Sequence, residues 1–401
     1  MKAPGKKKFF IEDNVCTPYK LILNRAHNYL TMNGMFVTEN RKEADTIIIG
    51  TCAAFQSLEN TTISFIEKAQ EEKKNDAELV IFGCMNGINP TKVKSYKPDR
   101  IIPASAWERL ELLIDNPKIP LADIPEATRF RSDKDYRLPD YGKQFVLLQT
   151  GCSSNCPFCP HKMGIGKLKS NTPANIMKQI NSMGDEVHTL CLTGNDTGSY
   201  GVDIGTSFPE LLKKILATTN YHIHLSQINP NWVYYYRDEL YPLLLDNKVR
   251  EFQTLIQSSS NRVLVAMERD PVVEKIKPYL LKLKKERPDL ILRTDLIIGY
   301  PTSTEEEELE SAKYVAEIFH EVAVHGFERF SHSRIERLGL PFYEPSEINH
   351  RVQKIINYFA DYPQLLVHHG GQVIESLEAI EKPKQYLRDK NNISLKCGGS
   401  L

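Results

Sequence analysis

Short apolar runs separated by amphipathic stretches set the rhythm of the chain. Residues 9–11 (FFI), 44–50 (ADTIIIG) and 79–83 (LVIFG) are apolar without polar alternation, and residues 100–102 open a fourth run. Between them, residues 19–33 carry a helical pattern and residues 58–73 read as a charged helix. Strands that show no alternation are buried on both faces, and such strands between helices predict a parallel sheet. Residues 1–116 are therefore expected to form a small parallel α/β domain. Residues 117–143 are rich in proline and charge and lack a period, which reads as a linker. A second rhythm starts at 144. Strands are expected over 144–150, 187–193, 221–226, 250–257, 291–298 and 323–330, with helices over 173–184, 207–218, 270–286 and 304–319. Six βα units in residues 144–345 predict a partial (β/α)6 barrel, with chemistry at the carboxyl ends of its strands. The remainder, 346–401, reads as a helix over 347–368 and a polar tail.

Composition narrows the classes. Apolar residues make up 41% of the 401 and charged residues 25%, which excludes a disordered or collagen-like chain. Lys plus Arg and Asp plus Glu both number 51, so the net charge is zero. General attraction to polyanions is not indicated, although a local basic patch is compatible with it. No apolar run approaches the roughly 18 residues of a membrane span, and the start MKAPGKKKFFIEDN lacks the apolar core of a signal peptide. A cytoplasmic location and no membrane partner are expected. In that compartment the eight cysteines point to metal or catalysis rather than disulfides.

The cysteines fall in two sets. Cys152, Cys156 and Cys159 follow the first expected barrel strand as CxxxCxxC. Three thiolates on one short loop leave a tetrahedral zinc site one ligand short, which His161 could supply. A four-iron cluster held by three thiolates instead keeps one iron open for chemistry. Three buried free thiols are the remaining reading. Cys16, Cys52 and Cys84 each lie just past an apolar strand, in FFIEDNVC, TIIIGTC and LVIFGC. The carboxyl ends of parallel strands lie side by side and form ligand sites, so these thiols could converge, or each could be an ordinary buried cysteine. Cys191 sits inside a strand pattern as a core residue, and Cys397 lies in the polar tail.

The CxxxCxxC loop at the end of a first barrel strand resembles the radical S-adenosylmethionine (SAM) superfamily. Further segments resemble the radical SAM methylthiotransferases over about residues 8–345: GTCAAFQSLEN (50–60), LTGNDTGSYGVDIGTSFPELL (192–212), LIQSSSNRVLVAMERD (255–270) and TDLIIGYPTSTEEE (294–307). The DTGSYGVDIGT form is most similar to the archaeal and eukaryotic branch acting on threonylcarbamoyladenosine in tRNA. The resemblance implies two 4Fe–4S clusters. One, on Cys152, Cys156 and Cys159, binds SAM through its open iron and yields a 5′-deoxyadenosyl radical. The other, on Cys16, Cys52 and Cys84, presents sulfur that one SAM methylates before its transfer to a substrate radical. SAM contacts are expected from the loop Gly194, Asn195 and Asp196, from Gln257, Ser258, Asp295 and Gly299, and from Phe158 against the adenine. A flavodoxin or ferredoxin is the expected electron donor.

The chain departs from the family pattern in three places. Tyr19 stands three residues after the first cysteine, where the family usually has Asn. PHKMGIGKLKS, with Lys162, Lys167 and Lys169, replaces an Arg-Gly segment, so bidentate phosphate recognition is lost. The residues after 370 are too few and too polar for the family's small β-barrel (TRAM) domain, and basic residues normally supply much of the affinity for tRNA. The function expected first is methylthio insertion at C2 of N6-threonylcarbamoyladenosine in tRNA. The alternatives are a sulfur-inserting enzyme acting on a peptide or small molecule, and a non-catalytic Fe–S partner protein.

Overall fold

The computed structural model describes residues 7–124, 143–185, 187–330, 333–369 and 372–374. The chain divides into two compact units, Met1–Leu211 with Glu328–Gly339, and Leu212–Phe327 with Leu340–Leu401.

The first unit opens with a five-stranded parallel sheet. Its strands are β1 (Lys8–Asp13), β2 (Phe36–Val37), β3 (Thr46–Thr51), β4 (Glu78–Gly83) and β5 (Arg100–Pro103), in the order β2-β1-β3-β4-β5. The pairings β1/β2, β1/β3, β3/β4 and β4/β5 are all parallel. All six residues of β3 are buried, as its unbroken apolar run requires. Helix α1 (Thr17–Met32) carries Pro18 in its first turn, where its fixed φ fits, and buries Leu21, Ile22, Leu23, Ala26, Tyr29 and Leu30. Helices α2 (Gln56–Glu72), α3 (Met85–Ile88) and α4 (Pro90–Ser95) complete this part.

The core extends past residue 116. Leu121 and Ile124 are buried in it, as are Leu147 and Ile165 from the start of the barrel sequence. Arg25 Nε donates to the Leu121 carbonyl at 3.1 Å, and the Asn33 amide brackets Ile119 at 2.9 and 3.0 Å. The first residues of the expected linker thus pack on the N-terminal sheet domain, while 125–142 lie outside the described residues. Strand β6 (Lys143–Leu147) is followed by β7 (Gln149–Thr150), helix α5 (His161–Ile165), strand β8 (Lys169–Ser170) and helix α6 (Pro173–Asn181). Strand β9 (Thr189–Thr193) pairs parallel with β6. The antiparallel pair β7/β8 closes the intervening cysteine loop.

The chain passes into the second unit within helix α7 (Phe208–Thr218). Its strands are β10 (His222–Ile228), β11 (Val249–Thr254), β12 (Ile291–Ile298), β13 (Glu321–Gly326), β14 (Leu366–His369) and β15 (Gln372–Ile374). The first five pair in parallel succession, and β15 is antiparallel to β14. The intervening helices are α8 (Pro230–Tyr235), α9 (Arg237–Leu244), α10 (Asn261–Ala266), α11 (Val273–Glu286), α12 (Glu305–Ile318) and α13 (Pro345–Phe359). Every strand of the expected barrel is present, in a mixed α/β fold with parallel pairing.

One element differs from expectation. The helix expected over 347–368 stops at Phe359, and 366–369 form a further parallel strand beside β13. Pro363 disfavours helical backbone at Tyr362, and Leu365 and Val367 are buried. No helix of the described residues is long and apolar enough to cross a membrane.

The second unit contains one strong polar anchor. Arg287 is 7% exposed and donates to the carbonyls of Leu244, Asp246 and Val249 at 2.9, 2.6 and 2.9 Å. It also makes a two-point contact with Asp289, both bonds at 2.9 Å. Arg287→Ala leaves these acceptors unpaired. It is expected to destabilise by about 3–5 kcal/mol, as loss of one partner of a buried pair does. Arg287→Lys should recover only part, because it lacks the planar fork. An unchanged unfolding transition for the alanine variant would refute this.

Candidate functional site

Strand register brings the N-terminal cysteines to one edge. Asp13 lies opposite Gly50 and Gly50 opposite Phe82, so Cys16, Cys52 and Cys84 all follow at the carboxyl end of the sheet. Cys16 is the N-cap of α1, and its carbonyl accepts the N–H groups of Tyr19 and Lys20 at 3.0 and 2.9 Å. A helix N-terminus favours negative charge on sulfur. The Cys52 N–H donates to Asn14 Oδ1 and Thr62 Oγ1, both at 3.2 Å. Asn14 Nδ2 is fixed on the Leu58 carbonyl at 2.7 Å. Cys84 begins the turn into α3, with its N–H on the Thr51 carbonyl at 3.1 Å. Burial pushes the Cys84 thiol well above its ordinary pKa, and the nearby Cys16, Cys52 and Cys159 add to that rise. Cys84 thus lies within electrostatic reach of the other two N-terminal cysteines and of one cysteine of the second set.

The second set sits on the loop closed by β7 and β8. Cys152 Sγ accepts the Ser154 N–H at 3.3 Å, and Cys159 N–H donates to the Cys156 carbonyl at 3.2 Å. Lys162 Nζ donates to the Cys152 carbonyl. Residues 333–338 brace the loop from a distant part of the sequence. Arg334 donates to the Asn155 carbonyl at 2.6 Å, and Ile335 N–H to the Pro157 carbonyl at 3.0 Å. Burial raises the Cys152 thiol to about 12, and the Asp196 carboxylate, 3.9 Å away, adds to the rise. Phe158 is half-buried between the cysteines, and Cys191 is buried within β9.

The loop after β9 is tied to the residues that lead into the cysteines. Asn195 Oδ1 accepts the Gly151 N–H at 2.9 Å, and Asn195 N–H donates to Gln149 Oε1 at 3.1 Å. Gly194 lies flat on Gln149, whose Nε2 is buried without a partner among the described residues. Asp196 is 3% exposed.

The other expected SAM contacts lie in the second unit. Gln257 has a left-handed φ of 66°. Its backbone bridges β12 through Asp295 and Ile297 at 2.9 and 3.0 Å, and its Oε1 is buried without a partner among the described residues. The Ser258 and Ser311 hydroxyls are 3.3 Å apart. Asp295 accepts from Gln253 at 3.1 Å and pairs with His325 at 3.4 Å. The Gly299 N–H is taken by the Glu308 carboxylate at 2.7 Å.

The donor set suits clusters. Among the described residues no three His, Cys, Asp or Glu side chains are grouped as a single metal ion needs, so His161 forms no such group with the three cysteines. In a cluster each thiolate takes its own iron, so three cysteines are enough to hold a four-iron cluster with one iron left open.

Similarity to known proteins places both cysteine sets within matched segments. A family model for the radical SAM superfamily matches residues 146–315, and one for the uncharacterized protein family UPF0004 matches 9–102. A probable threonylcarbamoyladenosine tRNA methylthiotransferase of Pyrococcus horikoshii is 27% identical over 321 residues, 78% of this chain and 74% of that protein. The Homo sapiens threonylcarbamoyladenosine tRNA methylthiotransferase is 27% identical over 331 residues, 78% of this chain but only 56% of the human one. The ribosomal protein uS12 methylthiotransferase RimO of Thermotoga petrophila is 27% identical over 286 residues, 69% of this chain and 66% of that protein. The solved cobalamin-dependent SAM radical enzyme OxsB, with aqua-cobalamin and SAM bound, superposes with a TM-score of 0.51 at 11% identity. That likeness covers 98% of this chain and 62% of OxsB, and it speaks for the fold alone.

The CxxxCxxC loop within the matched barrel defines a radical SAM protein. With the N-terminal match and the relatives added, the findings support the radical SAM methylthiotransferase family. The radical SAM match and the methylthiotransferase relatives support a sulfur-inserting radical SAM enzyme that uses SAM and two 4Fe–4S clusters.

Proposed function

We propose that the chain inserts a methylthio group at C2 of N6-threonylcarbamoyladenosine in tRNA, in the cytoplasm, with electrons from a flavodoxin or ferredoxin. The observation that carries this reading is the DTGSYGVDIGT segment, together with relatives named for that activity. The segment packs against the cysteine loop. Tyr200 OH donates to the Asn171 carbonyl at 2.8 Å, and Asp203 accepts the Ser170 N–H at 2.9 Å. RimO, similar at the same identity, is named for a ribosomal protein, which keeps a polypeptide substrate as the second reading.

In this reading Cys152, Cys156 and Cys159 hold the SAM-binding cluster, and Cys16, Cys52 and Cys84 the sulfur-presenting one. Bound SAM and the clusters supply the hydrogen-abstracting radical and the sulfur. The chain's own residues hold and orient. The Ser154 N–H steadies negative charge on Cys152. Gly194, Asn195 and Asp196 form the backbone turn offered to SAM, with Phe158 against the adenine. Gln257, Ser258, Asp295 and Gly299 are the second unit's SAM-contacting residues, and the unpartnered Gln257 Oε1 supports the first of these. Most of residues 346–401, Cys397 included, lie outside the described residues.

The test is an anaerobic turnover assay on tRNA carrying the unthiolated nucleoside, read by mass spectrometry of the digested nucleosides. The expected product is heavier by one methylthio group less a hydrogen. Affinity for tRNA should fall steeply as salt rises. Absence of both product and salt-dependent binding, with SAM cleavage intact, would overturn the tRNA assignment in favour of a peptide or small molecule.

A further inference from the structure

Tyr19 stands where the resemblance leads one to expect asparagine. It lies one helical turn beyond Cys16 on α1 and is 0% exposed. Its ring packs edge-on against Phe82, centroids 6.3 Å apart. Phe82 is two residues before Cys84, so the ring links the helix that Cys16 caps to the strand that leads into Cys84. Its hydroxyl is buried and has no hydrogen-bond partner among the described residues. Tyrosine hydroxyls in protein interiors ordinarily find one, because a buried unpaired donor is costly. Burial, followed by the Cys84 and Cys16 thiols, pushes the phenol well above its usual pKa. The group is a neutral O–H donor, and the ionisable side chains that act on it are Cys84, Cys16 and, least, Glu108.

We propose that the Tyr19 hydroxyl donates a hydrogen bond to a sulfur of the cluster held by Cys16, Cys52 and Cys84, and so acts as a positioning residue that sets this cluster's potential. The proposal rests on those cysteines holding a cluster. Hydrogen bonds to cluster sulfurs stabilise the more negative, reduced state and raise the potential. Asparagine can donate too, but from a shorter side chain, so the replacement changes reach and donor strength at the sulfur-presenting centre.

The test uses the full chain carrying Cys152→Ala, Cys156→Ala and Cys159→Ala, which isolates the N-terminal cluster, with and without Tyr19→Phe. Phenylalanine keeps the ring against Phe82 and removes only the hydroxyl. The expected result is about four irons in both proteins, a lower midpoint potential for the phenylalanine variant in an EPR-monitored titration, and loss of an exchangeable-proton coupling in ENDOR. The iron-free protein should unfold at the same or a higher temperature after Tyr19→Phe, since an unpaired hydroxyl has gone. A purely structural hydroxyl would lower that temperature and leave the potential unchanged. Equal potentials with about four irons bound would overturn the role of Tyr19 alone. No iron in either protein would overturn the cluster assignment and this inference together.

Discussion

Replacing Cys16, Cys52 and Cys84 together by alanine is expected to halve the iron of the reconstituted protein, from about eight to about four per chain. SAM cleavage should persist, and methylthio product should vanish. The reverse set, Cys152→Ala/Cys156→Ala/Cys159→Ala, should also retain about four irons yet release no 5′-deoxyadenosine. The two jobs separate because the two sets lie on different elements. Cys16, Cys52 and Cys84 end three adjacent strands of the N-terminal sheet, whereas the other three share one loop between β7 and β8. The alanine triple should still fold. The sheet's core rests on Phe9, Ile47, Ile48, Ile49, Val80 and Ile81, all fully buried, and a Cys-to-Ala change removes a single sulfur atom. Iron and sulfide counting with 5′-deoxyadenosine chromatography reads all of these outcomes. About four irons in the unmodified protein, unchanged by the N-terminal triple, would make this a single-cluster enzyme and defeat the sulfur-presenting role.

Much of this site is legible from local pattern. β3 and β4 announce themselves because burial on both faces suppresses alternation. Once they are parallel neighbours, the register alone carries Cys52 and Cys84 to the same edge. The CxxxCxxC loop needs no tertiary information, since its spacing is the signal. The brace from Arg334 and Ile335 is a different case. It joins positions 179 residues apart, Arg334 and Asn155, through backbone carbonyls that any residue possesses, so no residue type marks it. The bond from the Asn195 N–H to Gln149 Oε1 is equally silent, because polar residues at strand ends usually face solvent. Strand β14 was hidden behind a helical pattern that Pro363 interrupts. Tyr19 was visible as a departure, but that its hydroxyl lacks a partner could be known only from the packing around it.

Helices α3 and α5, which adjoin the two cysteine sets, meet at two glycines. A Cβ placed on Gly164 of α5 would lie 2.6 Å from the Cys84 carbonyl oxygen, 2.7 Å from its Cβ and 2.8 Å from its Cα. A Cβ on Gly87 of α3 would lie 2.2 Å from the Met163 carbonyl oxygen and 2.9 Å from Gly164 Cα. Most of these neighbours are backbone, which cannot rotate away. Restoring ordinary contact of about 3.5 Å moves α3 and α5 apart by roughly 1 Å. The overpacking costs about 1–3 kcal/mol, which a chain of this size can survive. The functional cost is larger. Cys84 begins α3 and Cys159 immediately precedes the α5 turn, so separating these short helices shifts one cysteine set against the other. A displacement of about 1 Å can cost 10²-fold in a step that depends on alignment. Gly164→Ala should therefore keep all its iron and still cleave SAM, while methylthio product per SAM cleaved falls about 100-fold. Gly87→Ala should do the same, and the double variant should lose little more than the worse single one, because both act at one crossing. Unchanged product per SAM cleaved in both single variants would show that this crossing does not set the alignment.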